Sequence, residues 1–123
     1  MTTAALTWFQ IAILITYSVA MSLGQVLFKL AALRYSSGNS LKEQLLALAF
    51  NWYFLAALLL YCGLAVLWVW ILSFTPLSRA YPFVAIAFFA TPMLGGLIFG
   101  EPLYLRTLAG IVLILCGLVL VTR

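Results

Sequence analysis

Two polar side chains interrupt an apolar run in the first third of the chain. Gln25 and Lys29 stand four residues apart in "SLGQVLFKLA", a spacing that places both on one face of a helix. Polar groups are costly inside a membrane because they lose their hydration, so each one indicates a functional site. Two simpler roles stay open. Lys29 can extend its amine to the membrane surface, and Gln25 can bond to a neighbouring helix.

The remaining charges near apolar runs stand at the ends of those runs. Glu101 follows "GGLIFG", Arg106 lies five residues later, and Arg79 lies in "TPLSRAYPF". If consecutive helices alternate in direction, Lys29, Glu101 and Arg106 reach one membrane face and Arg79 the other. We expect Gln25 to join the first group. The simpler alternatives are a local pair between Glu101 and Arg106, and an interfacial anchor at Arg79.

The composition is that of a membrane protein. Of 123 residues, 67% are hydrophobic and 7% are charged, and the mean hydropathy is +1.26. No soluble domain of this length could bury so much apolar surface. Histidine and aspartate are absent, and the two acids are Glu43 and Glu101. This excludes Ser-His-Asp catalysis and histidine metal sites, so we predict a transporter, not an enzyme, without cofactor, metal or nucleic-acid partner.

Four apolar segments approach the roughly 20 residues that a membrane-spanning helix requires. We therefore predict an all-α membrane protein, one domain over residues 1–123, with short connections between its helices. A capping pattern, Ser40 followed by Glu43, also predicts a short interfacial helix at 41–49. The four predicted spans are 7–33, 52–74, 78–99 and 103–121.

Glycines in the last apolar segment favour close contact with another helix. Gly110 and Gly117 are seven residues apart, which places them on one face of that helix. Four helices are few for an enclosed path, so we expect a dimer with these glycines at its interface.

The sign of the charges inside the membrane indicates the sign of the charge on the substrate. A carrier of organic cations would need an acid inside the membrane, but Glu101 stands at the end of a segment and the other charges are mostly cationic. This favours an anion, such as a phosphate head group, over a cationic drug.

Four motifs then occur in order: "GQVLFKLA", "PLSRAYPF", "GEPL" and "GIVLILCGLVL". In them the chain resembles the four-helix members of the drug/metabolite transporter superfamily, which include EamA-like and small multidrug resistance-like proteins. It is most similar to the subunits of the aminoarabinose–undecaprenyl-phosphate flippase. The resemblance covers nearly the whole chain.

The resemblance implies a multi-pass protein of the bacterial inner membrane. It would move a polyprenyl-phosphate-linked sugar for lipopolysaccharide or related glycan modification, as a homodimer or as a heterodimer with a similar small subunit. The alternative is a small-molecule or multidrug exporter, but such exporters carry a glutamate in the middle of helix one, where this chain reads "AILITYSVAMS". On this hypothesis phosphate is handled by Lys29 and Arg106, with Glu101 beside them, and by Arg79 at the opposite membrane face. The sugar or its path is contacted by Gln25, Ser22, Tyr61, Tyr81 and Trp68.

Overall fold

A computed structural model describes residues 5–35 and 40–122, and all regular structure in these ranges is helical. The prediction of an all-α protein is therefore confirmed for the described residues. The helices are α1 (Trp8–Leu33), α2 (Leu41–Ala49), α3 (Trp52–Leu72), α4 (Leu77–Val84), α5 (Ile86–Phe99) and α6 (Leu105–Thr122).

Side-chain caps fix where three of the helices begin. Thr7 and Gln10 form a reciprocal capping box at α1. Ser40 Oγ accepts a hydrogen bond from the Glu43 N–H at the start of α2. Asn51 Oδ1 accepts from the first N–H groups of α3. Because the first N–H groups of a helix have no partner within it, these oxygens set the helix starts locally.

The segment predicted as one helix, 78–99, is two helices that meet at Ala85. The Ala85 N–H donates to the Pro82 carbonyl, and the Phe88 N–H donates to the Ala85 carbonyl, so both bonds span three residues. Pro82 has no N–H to contribute to the regular ladder. The tightened turn joins α4 to α5, and together they form one apolar stretch, Leu77–Phe99.

Three stretches are long and apolar enough to cross a membrane: Trp8–Leu33, Trp52–Leu72 and Leu77–Phe99. The protein is thus a multi-pass membrane protein. The apolar part of α6, Leu105–Val121, is shorter than these three. At 1.5 Å per residue the 18 residues of α6 rise about 27 Å, slightly less than the ~30 Å of a bilayer core. The fourth span stays a prediction.

Helix α1 lies at the centre of the fold and contacts α3, α4 and α5, whereas α6 contacts α4 and α5. Leu14, Ile71 and Ala80 form a buried cluster that joins α1, α3 and α4. The buried hydroxyl of Ser18 adds a polar link, because it donates to the Phe83 carbonyl of α4 at 2.7 Å. These contacts hold α1 and α4 side by side, where the candidate site lies.

Candidate functional site

A cavity of about 500 Å³ lies between α1, α4 and α5. This volume falls within the range of small-molecule sites, roughly 300 to 1,000 Å³. Most of its wall is apolar, and the polar side chains in it are neutral. The wall includes Met21 and Gln25 of α1, Tyr81 and Pro82 of α4, and Phe88 and Thr91 of α5.

Gln25 is held at the cavity by a chain of hydrogen bonds that crosses from α1 to α3. Its Nε2 donates to Tyr61 Oη at 2.7 Å, and Tyr61 Oη donates to the Met21 carbonyl at 3.1 Å. The Tyr61 ring also stacks on Phe28, with 5.3 Å between ring centroids. Gly24 makes this arrangement possible, since a Cβ there would lie 2.6 Å from the ring.

An ion pair joins α1 to the turn that follows α5. Lys29 Nζ lies 2.9 Å from Glu101 Oε1, and both side chains are about half exposed. Gly95 leaves room for the acid, because a Cβ at this position would lie 2.9 Å from Glu101 Oε2. The structure thus brings the predicted residues Lys29 and Glu101 together. Arg106 is exposed in the first turn of α6.

Arg79 and Tyr81 belong to α4. The Tyr81 side chain is exposed and lines the cavity, and Arg79 lies two residues earlier with intermediate exposure. The helix begins after Pro76, whose carbonyl accepts the Arg79 N–H at 3.0 Å. The "TPLSRAYPF" stretch is therefore the start of a helix that supplies one wall of the cavity.

Two of the predicted substrate residues lie away from this wall. The buried Ser22 hydroxyl donates to the Ser18 carbonyl of its own helix at 3.1 Å. Trp68 stacks on Tyr17 at 4.9 Å between centroids and packs against the buried cluster of α1, α3 and α4. The Trp68 ring thus packs α3 against α1, whereas the Ser22 bond stays within α1, and a direct substrate contact of either residue stays a prediction.

The glycines predicted for a dimer interface face open space. No heavy atom lies within 4 Å of a Cβ added at Gly110 or Gly117. Large apolar side chains on the same helix are also exposed, among them Leu113 and Leu120. The surface of α6 is thus free of contacts with the rest of the described chain at these positions, and dimerisation stays a prediction.

Sequence reasoning missed two residues that line the cavity and one that bonds α3 to α1. Thr91 was identifiable as a hydroxyl in an apolar run beside Pro92, a pattern that marks a polar gap in a membrane helix. Asn51 was identifiable as a helix cap, but its second bond, from Nδ2 to the Ala31 carbonyl at 3.1 Å, was not. Met21 carries no pattern that distinguishes it from the other apolar residues of α1.

Among the described residues, no group of three or more histidine, cysteine, aspartate or glutamate side chains could hold a metal ion. Cys62 and Cys116 are exposed free thiols on different helices.

Comparison with curated proteins identifies relatives with one function. The chain is 38% identical over 99 residues to a protein of Pectobacterium atrosepticum, a match that covers 80% of this chain and 85% of the relative. That protein is named as a probable 4-amino-4-deoxy-L-arabinose-phosphoundecaprenol flippase subunit ArnE. Proteins of the same name from an Enterobacter strain and from Pseudomonas paraeruginosa are 34% and 38% identical over 70 and 72 residues.

These two further matches cover 57% and 58% of this chain, and they span 64% and 62% of the relatives' own lengths, slightly under two thirds. No family model matches the chain, and no solved structure matches it. The resemblance predicted from the four sequence motifs is confirmed by the named relatives. The chain therefore belongs to the ArnE family of flippase subunits.

Proposed function

We propose that this protein is a subunit of a flippase that moves a polyprenyl-phosphate-linked sugar across the bacterial inner membrane, for lipopolysaccharide or related glycan modification. Family membership carries the proposal, since the ArnE relatives are named as subunits of a flippase for a phosphoundecaprenol-linked amino sugar. The geometry supports it. The cavity wall combines apolar groups with the neutral polar side chains of Gln25, Tyr81 and Thr91, a combination suited to hydrogen-bonding the hydroxyl and amino groups of a sugar.

The phosphate is handled by cations at the two ends of the path, Lys29 and Arg106 toward one membrane face and Arg79 toward the other. Lys29 lies one helical turn beyond Gln25 on the same face of α1. Its ion pair with Glu101 is half exposed, so a phosphate can replace the carboxylate without uncovering a deeply buried charge. Arg79 stands one residue before the buried Ala80 on α4, and Arg106 provides a further exposed cation in the first turn of α6.

The polyprenyl chain stays in lipid while the head group crosses. A partner protomer, either a second copy or a similar small subunit, completes the path by packing against the exposed face of α6 around Gly110 and Gly117. Small residues favour such helix contacts because they let the two backbones approach closely. Tyr61 and Trp68 contribute by packing α3 against α1 beside the path, and Ser22 lies buried one turn before Gln25 on α1.

The test is a head-group accessibility assay in liposomes. The chain is reconstituted alone and together with a similar small subunit, with a labelled polyprenyl-phosphate amino pentose in the inner leaflet. We expect head groups to reach the outer leaflet faster than in protein-free vesicles.

The double variant Lys29→Ala/Arg79→Ala should lower this rate at least about tenfold, because each charged hydrogen bond to phosphate contributes roughly 1.5 to 3 kcal/mol. Lys42→Ala is the matched control, since this exposed lysine lies on α2, away from the cavity. Equal rates with and without protein would refute the flippase function. Proton-driven export of a cationic drug, abolished by Glu101→Gln, would instead identify a multidrug exporter.

A further inference from the structure

The hydrogen-bond chain at Gln25 determines which end of its amide is left for the cavity. The single hydroxyl hydrogen of Tyr61 is donated to the Met21 carbonyl, which can only accept. Tyr61 Oη therefore acts as acceptor toward Gln25, whose Nε2 lies 2.7 Å away. With its NH₂ group bonded to tyrosine, Gln25 has its carbonyl oxygen, Oε1, to offer to a molecule in the cavity that it lines.

The proline inside α5 leaves a second acceptor, a backbone carbonyl, at a residue that lines the cavity. Pro92 lies inside α5 and has no N–H, so the carbonyl of Phe88, four residues earlier, lacks its regular helical donor. Phe88 and Pro92 both line the cavity. In a membrane such a carbonyl is stable where it borders a polar cavity or another polar group.

The remaining polar groups of the wall fit the same chemistry. The Thr91 hydroxyl and the Tyr81 hydroxyl can accept a hydrogen bond as well as donate one. The described residues that line the cavity include neither a carboxylate nor a cation. The wall thus offers fixed carbonyl acceptors from α1 and α5 with adaptable hydroxyls beside them.

We propose that this cavity binds the sugar head group through the donors that the sugar carries, its hydroxyl and amino hydrogens, with Gln25 Oε1 and the Phe88 carbonyl as the selecting acceptors. Tyr61 is a positioning residue that fixes the orientation of the Gln25 amide. This proposal rests on the proposed function and adds the basis on which the head group is chosen. The phosphate lies outside this wall, toward Lys29 at one end of the path or Arg79 at the other.

Selection of this kind works because unbonded polar groups are costly in a dry site. A site built to hydrogen-bond an OH or NH group rejects an analogue that lacks it, since the acceptors of the protein then lose water without gaining a partner. Two such acceptors correspond to about tenfold discrimination. A fluorinated sugar is a suitable analogue, because fluorine has nearly the size of a hydroxyl group but cannot donate.

The experiment measures dissociation constants for the full chain in lipid nanodiscs with three probes. The first is a polyprenyl phosphate that carries an amino pentose. In the second, fluorine replaces the free hydroxyl and amino groups, and the third is the polyprenyl phosphate without a sugar. We expect the wild-type chain to bind the first probe about tenfold more tightly than the second.

Three variants test the residues separately. Gln25→Leu should reduce the discrimination to about threefold or less, with unchanged affinity for the probe without sugar. Thr91→Val removes one of the adaptable hydroxyls and should lower the discrimination by a smaller factor. Tyr61→Phe retains Gln25 but releases its amide to rotate, so it should also lower the discrimination between the first two probes. Thr16→Val is the matched control, because the Thr16 hydroxyl bonds to the Ala12 carbonyl of its own helix.

The possible results separate the two proposals. Equal binding of the first two probes by the wild-type chain, or full discrimination in folded Gln25→Leu and Tyr61→Phe, would overturn this inference and leave the flippase function standing. Failure of all three probes to bind would overturn both. Should Gln25→Leu not fold, Thr91→Val and Tyr61→Phe still decide the outcome.

Discussion

The contact between Gly24 and Tyr61 allows a stability prediction worked from distances. A Cβ at Gly24 would lie 2.6 Å from Tyr61 Cε2, whereas carbon atoms settle about 3.5 to 4.0 Å apart. The ring must therefore move by about 1 Å. It is held by the stack on Phe28 and by the bond from its hydroxyl to the Met21 carbonyl at 3.1 Å, so the movement breaks the hydrogen bond.

The expected loss follows from three terms. Overpacking costs about 1 to 3 kcal/mol, and the broken hydrogen bond adds about 1 kcal/mol. The higher helix propensity of alanine offsets this loss in the free energy of unfolding by about 1 kcal/mol. We expect Gly24→Ala to lower the free energy of unfolding by about 1 to 3 kcal/mol. Gly63→Ala is the matched control, because no atom lies within 4 Å of a Cβ there, and it should gain about 1 kcal/mol.

Denaturant unfolding of the full chain in detergent micelles, followed by circular dichroism, measures both variants. A further experiment combines Gly24→Ala with Tyr61→Ala. The contact between the added Cβ and the Tyr61 ring is then absent, so Gly24→Ala should become stabilising, as at Gly63. The reasoning is refuted if Gly24→Ala and Gly63→Ala have the same effect in the wild-type background.

Three further predictions concern polar contacts, each measured by the same unfolding assay. Ser18→Ala should lower the free energy of unfolding by about 1 to 2 kcal/mol, because the buried hydroxyl bonds to a carbonyl of α4 at 2.7 Å. The control is Thr16→Val, whose bond stays within α1 and which should change the free energy of unfolding by less than about 0.5 kcal/mol. Equal effects of the two substitutions would contradict the prediction. Asn51→Ala should lower the free energy of unfolding by about 1 to 2 kcal/mol, since it removes both the cap of α3 and the bond to α1. An unchanged free energy of unfolding would contradict this prediction. Glu101→Gln should lower the free energy of unfolding by less than about 1 kcal/mol, because Lys29 and Glu101 are 46% and 48% exposed and solvent screens their attraction. A loss of several kcal/mol would show that the pair is buried in the membrane.

The helices could be predicted from the sequence because their causes are local. The apolar runs and the caps at Ser40 and Asn51 act within a few residues, and the structure has helices that begin directly after both residues. The division of the third predicted segment at Ala85 was harder to foresee. Pro92, well inside the segment, is the more obvious position for a break, but the three-residue bonds form near Pro82.

The candidate site could be predicted only in outline. The i to i+4 spacing of Gln25 and Lys29 places them on one face, but it does not say which helix lies opposite. Ser22, on a nearby part of α1, is buried against its own backbone, while Gln25 borders the cavity. The angle at which α1 crosses its neighbours makes this difference, and that angle depends on all of the contacting side chains.

The sequence by itself determined that this is a helical membrane protein with few charges, without the histidine and aspartate of Ser-His-Asp catalysis, and with motifs of a flippase family. These properties depend on composition and on short-range spacing, which any helix of the chain must obey. Tertiary structure alone decided that Glu101 pairs with Lys29, that Tyr61 orients Gln25, and that Gly24 accommodates an aromatic ring. Each of these contacts joins residues that are distant in sequence, and only the packing of the helices brings their side chains within bonding distance.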